Sequence, residues 1–204
     1  MLNLQFKFKK AVQAVNYFAC ASGGTIPKLK AIKLLWLADR LHLRNYGRTI
    51  SGDSYVAMPL GPVASQTLDI INGSSYFKPD LQPCVDYSKE FIHLVNKNDL
   101  RAIGDVNTKV FSATDLEAIE AISREYLSLG KYDLSHKISH HFPEWTRFRK
   151  NLEEEGSPRK SFDMEMLDFF QDVPNFALFN DQDQDIKETA KELFIEKQQV
   201  YNSF

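Results

Sequence analysis

The run PKLKAIKLLWLADRLHLR, from Pro27 to Arg44, constrains the fold more than any other stretch of the chain. Stepped at 100° per residue, it reads as a helix from about Pro27 to Leu43, with Thr25 placed to cap it and Pro27 in its first turn. Lys33, Arg40 and Arg44 fall within about 40° of one another and form a stripe expected to face water. Roughly opposite lie Ala31, Ile32, Leu35 and Leu43, the face expected to be buried, and Asp39 and His42 share that azimuth. Burying an ionisable group without a partner costs several kcal/mol. This pair must therefore bond to each other at i, i+3, to neighbouring backbone, or to a ligand.

Around this helix the remaining pattern is mostly helical. Leu4, Phe8, Ala11, Val15 and Phe18 recur at three- and four-residue spacing and predict a first helix ending at Gly23-Gly24. The stretch 45–63, NYGRTISGDSYVAMPLGPV, carries Gly47, Gly52, Pro59, Gly61 and Pro62, and predicts a loop, a short strand around Tyr55 to Met58 and a turn. Pro62 suits the first turn of a third helix running through Leu68 and Ile71 to Asn72-Gly73. Between Lys78 and Val110, the pieces around Cys84 to Tyr87 and Phe91 to Val95 predict a small antiparallel hairpin or sheet joined near Ser88-Lys89.

Ser112-Ala113-Thr114-Asp115 has the form of a capping box with Asp in place of Glu, ahead of a helix that keeps period to Gly130. Asp133 is placed to cap a shorter helix through His140 that Pro143 interrupts. Glu153 to Lys160, with Gly156 and Pro158, reads as a linker or surface loop. A short helix near Phe162 to Phe170, a loop bearing Pro174 and a last helix with Ile186, Ala190, Leu193 and Phe194 complete the chain. The fold class expected is mainly α: a compact helical domain over 1–155 with a small antiparallel β element, and a C-terminal helical extension, 156–204, packed on it.

Several function classes fail on residue type. Cys20 and Cys84 belong to no metal or disulfide pattern, and no run of about 18 apolar residues or signal peptide is present, so a cytoplasmic, non-membrane protein is expected. His136 and His140 have the i, i+4 spacing of metal ligands. Lys137 stands where a catalytic Glu would be needed, and a site using His136, His140 and His141 has no local carboxylate or thiol to complete it. No nucleophile elbow, Walker loop or dinucleotide fingerprint occurs. No metal, cofactor or catalytic residue is therefore expected.

Two chemical alternatives stay open. Asp39 could orient His42 as a general base toward Ser51, Ser54 or Tyr55; otherwise these groups, with Asp53, form a buried network tying the helix to the glycine-rich loop. Residues 1–50 hold nine Lys or Arg against Asp39 alone, so Arg40, Arg44 and Arg48 could meet phosphates or a protein partner. The sequence pI of about 6.2 and the absence of interleaved aromatics speak against nucleic acid. Residues 163–197 reverse the sign, with ten acids against three lysines. There Phe169, Phe170, Phe176 and Phe179, with Phe162, either finish the core or present an acidic, aromatic surface to a basic partner.

Lys33-Leu34-Leu35-Trp36-Leu37-Ala38-Asp39, His42-Leu43, Tyr46-Gly47-Arg48, Ser51-Gly52-Asp53, Tyr55, Ala57 and Gly61-Pro62-Val63 form an ordered set that resembles the Panacea, or SocA-type, antitoxin domain. Leu134-Ser135, His140 and Trp145 are similar to the family's second block, and the two blocks span about residues 10 to 150. Thr49 stands where the family often has Pro, a departure that touches loop stiffness. The resemblance implies an antitoxin that binds and neutralises a toxin encoded beside it, often in prophage or mobile loci. Toxins of the wider family include alarmone-synthetase-like enzymes, and one relative is an adaptor delivering its toxin to a protease. Asp39, His42, Tyr46, Gly47, Gly52, Asp53, Tyr55, Gly61, Pro62, His140 and Trp145 are then expected to define the fold, leaving partner choice to other surfaces.

Overall fold

The computed structural model describes residues 6–73, 81–154 and 159–202. Its axis is a 19-residue helix, α2 (Lys28–Tyr46), in which every residue from Ala31 to Arg44 is buried. Leu34 to Ala38 are apolar around the full circumference, which suits a helix covered on all sides. Helix α1 (Phe8–Ala21) packs on it and ends at Gly23 and Gly24, both at positive φ. The start of the first predicted helix, at Leu4, lies outside the described residues.

Thr25 does not cap α2. Thr25–Pro27 is instead a strand, β1, paired antiparallel with β5 (Asp99–Ala102), which pairs in turn with β4 (Ile92–Leu94). The hairpin expected from Cys84 onward therefore begins later, because Gln82–Phe91 forms helix α4. Cys84, Val85 and Ser88 recur at helical spacing and supply its buried face, and Pro83 suits its first turn. The start of that prediction, Lys78, lies outside the described residues.

A second sheet has the order β3-β2-β6, built from β2 (Tyr55–Met58), β3 (Gly61–Ala64) and β6 (Phe162–Asp163). Pro62 thus sits in a strand, not in a helix as expected. It lies opposite Ala57 in an edge strand, where a missing amide proton breaks no ladder. Helix α3 (Ser65–Asn72) starts three residues later and ends at Gly73.

Ser112 and Asp115 make the reciprocal capping box ahead of α5 (Ala113–Tyr126), as the spacing predicts. After it the chain tightens and widens by turns. Asp133–Ile138 is a π-type turn, Ser139–His141 a 3-10 turn, and α6 (Pro143–Thr146) and α7 (Arg149–Glu153) are short. The loop predicted at Glu153 to Lys160 has residues 155–158 outside the described ones. The helix expected near Phe162 to Phe170 resolves into β6 and a 3-10 turn, Met166–Phe170, followed by α8 (Ala177–Asn180) and α9 (Gln184–Asn202), which returns to pack on α2.

Candidate functional site

Asp39 and His42 solve their burial separately, without bonding to each other. Asp39 accepts from the Ile50 amide (2.8 Å), the Ser51 amide (3.0 Å), the Ser51 hydroxyl and the Tyr55 hydroxyl (2.6 Å), so both carboxylate oxygens are engaged. Burial raises its pKa, and these four donors oppose the rise. The helix is thereby tied to the glycine-rich loop, where the Gly52 amide donates to the Thr49 hydroxyl at 3.0 Å. Asp53 joins this network through its amide, which donates to the Ser51 hydroxyl at 3.1 Å, while its carboxylate turns elsewhere. It accepts from the Gln66 and Thr67 amides and the Thr67 hydroxyl, capping α3 from outside that helix, and burial raises it to about 6 against those donors.

His42 lies 2.8 Å from the Arg48 carbonyl through Nδ1 and 3.1 Å from the Thr114 hydroxyl through Nε2. Burial lowers its pKa to about 4, which keeps the imidazole neutral at pH 7. Asp115 alongside is held at about 2: burial would raise it, but Lys10, the Ser112 amide and the Arg48 charge outweigh that. Arg48 is half-buried by this contact, and Tyr46, partly exposed, tilts over the His42 ring. Gly47 ends α2 at φ 62°, and a Cβ there would stand 2.5 Å from the Ala190 carbonyl of α9. Its lack of a side chain lets α9 cross.

The stripe expected to face water is buried: Lys33, Arg40 and Arg44 have no exposed surface. Arg40 pairs with Glu144 (2.9 Å), donates to the Gln171 carbonyl (2.6 Å) and lies over the Phe142 and Phe179 rings. Arg44 reaches Asp172 and the Phe169, Gln171 and Phe179 carbonyls. The C-terminal segment thus wraps these two cations and supplies their acceptors apart from Glu144, which comes from α6. Neither guanidinium presents surface to a partner, which corrects the expectation for both. Phe169, Phe170 and Phe179 are buried, and Phe176 packs 5.1 Å from Phe142, so these rings finish the core.

The remaining motif residues converge on the tip of the β2–β3 hairpin. The Trp145 indole donates to the Met58 carbonyl (2.8 Å), the Ser135 hydroxyl to that of Leu60 (2.7 Å) and Lys33 Nζ to that of Pro62 (2.5 Å). Gly61, at φ 99°, lies so close to Ser139 and Lys33 that a Cβ would collide with both. His140 stacks on Trp145 at 3.7 Å. Its pKa is lowered to about 4 by burial, then by His136 and the Lys33 and Arg149 charges. Among the described residues no group of three or more potential metal ligands comes together.

Outside the pinned tip runs a groove of about 490 Å³, lined by Lys28, Leu29, Ile32, Met58, Pro59, Leu60, Val63, Leu68, Asn98, Lys131 and Tyr132. Sequence reasoning missed it, since its walls come from α2, the hairpin, α3 and the turn after α5. Among the described residues no helix is long and apolar enough to cross a membrane.

The family model for the SocA-like antitoxin, Panacea domain, matches residues 32–146, more than half of the chain. Neither curated proteins nor solved structures gave a significant match. The chain belongs to the SocA-like Panacea family.

Proposed function

We infer that this member of the SocA-like Panacea family is an antitoxin that neutralises a cognate protein toxin, encoded beside it, by direct binding. One observation carries the reading: the central ionisable residues of the family's first block, Asp39, His42 and Arg48, are engaged by internal bonds. Asp39 meets four donors, His42 has both ring nitrogens occupied, and Arg48 is paired with Asp115. Groups so engaged hold a scaffold, and a shared scaffold that binds diverse partners must choose them on its surface.

Co-expression with the adjacent gene tests this. The neighbour alone should arrest growth, stoichiometric expression of this chain should restore it, and the two should co-purify. A harmless neighbour, or one still toxic beside this chain, refutes the reading. Rescue with falling toxin levels and no stable complex would mark an adaptor for proteolysis.

A further inference from the structure

We propose that the groove beside the β2–β3 tip is the docking site for an acidic, amphipathic segment of the protein partner, its apolar side chains entering between Leu60 and Tyr132 and its carboxylates meeting Lys28 and Lys131. The proposal rests on the antitoxin reading for the identity of that partner, and on the groove itself for the chemistry.

The walls are apolar and partly open. Leu60 is 42% exposed and Tyr132 58%, while Ile32 and Val63 form a buried floor. Among the described residues, the charged ones lining the groove are Lys28 and Lys131. Lys131 lies 5.1 Å above the Tyr132 ring, so cation and apolar wall form one surface. Asp133, just beyond, is occupied by Lys137 at 2.7 Å. Lys28 donates to the neutral Asn72 side chain at 2.6 Å, and among the described residues no carboxylate forms an ion pair with Lys28 or Lys131.

Rigidity supports the same use. Three carbonyls of the tip, those of Met58, Leu60 and Pro62, are held by side chains from behind. A two-residue hairpin turn is ordinarily mobile, and fixing one in advance removes the ordering cost that binding would otherwise incur. Trp145, Ser135 and Lys33 act here as positioning residues, with His140 stacked on Trp145, and none of them lines the groove.

The test uses the full chain and a fluorescein-labelled amphipathic helical peptide of Leu and Glu, against the same peptide with Lys for Glu. Anisotropy should show the Glu peptide binding at least about tenfold more tightly, with Leu60→Asp and Lys131→Glu each weakening it by about tenfold or more. Both positions are solvent-accessible, and unchanged circular dichroism and melting confirm folding. Equal binding of the two peptides, or variants that bind like the wild type, overturns the proposal.

Helix α9 carries exposed Ile186 and Leu193 beside Asp185 and Glu192, so a second copy is the rival occupant. A dimer in sedimentation that Leu60→Asp dissolves would overturn the proposal in favour of self-association. The adjacent gene product supplies a separate arm. If the wild type binds the Glu peptide but not that product, the antitoxin reading fails and the groove stands. If the Leu60→Asp variant still captures the product as the wild type does, the groove proposal fails and the antitoxin reading stands.

Discussion

Glu144→Gln isolates the energetic role of the cation stripe on α2. Arg40 and Glu144 have no solvent exposure, and their contact is 2.9 Å. Burial lowers the Arg40 pKa, with Glu144 opposing, only to about 10, so at pH 7 the guanidinium keeps its proton and its charge. The amide preserves shape and an acceptor but removes the counter-charge. Breaking a buried pair in this way costs about 3–5 kcal/mol. At about 2–4 °C per kcal/mol for a chain of this size, the melting midpoint should fall by about 6–20 °C. The double variant Arg40→Met, Glu144→Met removes both charges together. The Gln171 carbonyl retains the Arg44 bond at 3.0 Å, and a methionine stem still packs against the Phe142 and Phe179 rings. Its loss should therefore be no more than about 2 kcal/mol. Urea denaturation of wild type, Arg40→Met, Glu144→Met and the double closes the cycle. A Glu144→Gln variant within about 1 kcal/mol of wild type, or a double variant as damaged as the summed singles, would refute the argument.

The pH dependence of stability should show two opposed contributions. Protonating His42, held at about 4 against 6.5, favours the unfolded chain as pH falls from 6.5 through 4; protonating Asp53, held at about 6 against 3.8, favours the folded chain as pH falls from 6 toward 3.8. On acidification His42→Asn should therefore gain, and Asp53→Asn lose, about 3 kcal/mol relative to wild type, and urea midpoints shifting in the same direction in both variants would contradict the assignment. Trp145→Phe removes the donor to the Met58 carbonyl while keeping a ring beside His140, and should cost about 1–3 kcal/mol. Amide exchange should accelerate first at residues 58–61; acceleration spread evenly over the chain would deny the tip its pinning. Gly47→Ala places a Cβ against α9 at positive φ, and should cost about 2 kcal/mol or more and expose α9 to protease. An unaltered digestion pattern would show that the crossing tolerates a side chain.

Features legible in the sequence were those that a short window contains. The Gly23-Gly24 stop, the Ser112–Asp115 capping box, the Tyr55–Met58 strand and the long last helix each announce themselves within a few residues. The cation stripe misled because a helical wheel separates polar from apolar faces but does not say what covers the polar one. For Arg44 the cover comes from carbonyls 125 to 135 residues away, those of Phe169, Gln171 and Phe179. A warning was present in Leu34 to Ala38, whose apolar side chains ring the helix and mark it as central. The same limit explains Asp53, which sits beside the Asp39 network in the sequence yet caps α3, because an aspartate pairs as readily with free helix amides as with a neighbouring hydroxyl. It also explains the hairpin tip. Ser135, His140 and Trp145 were recognisable as a motif, but Ser135 and Trp145 share a target in main-chain oxygens, and His140 stacks on Trp145. A backbone carbonyl has no letter in a sequence, so the side chains that seek it stand as scattered residues until the fold brings them together.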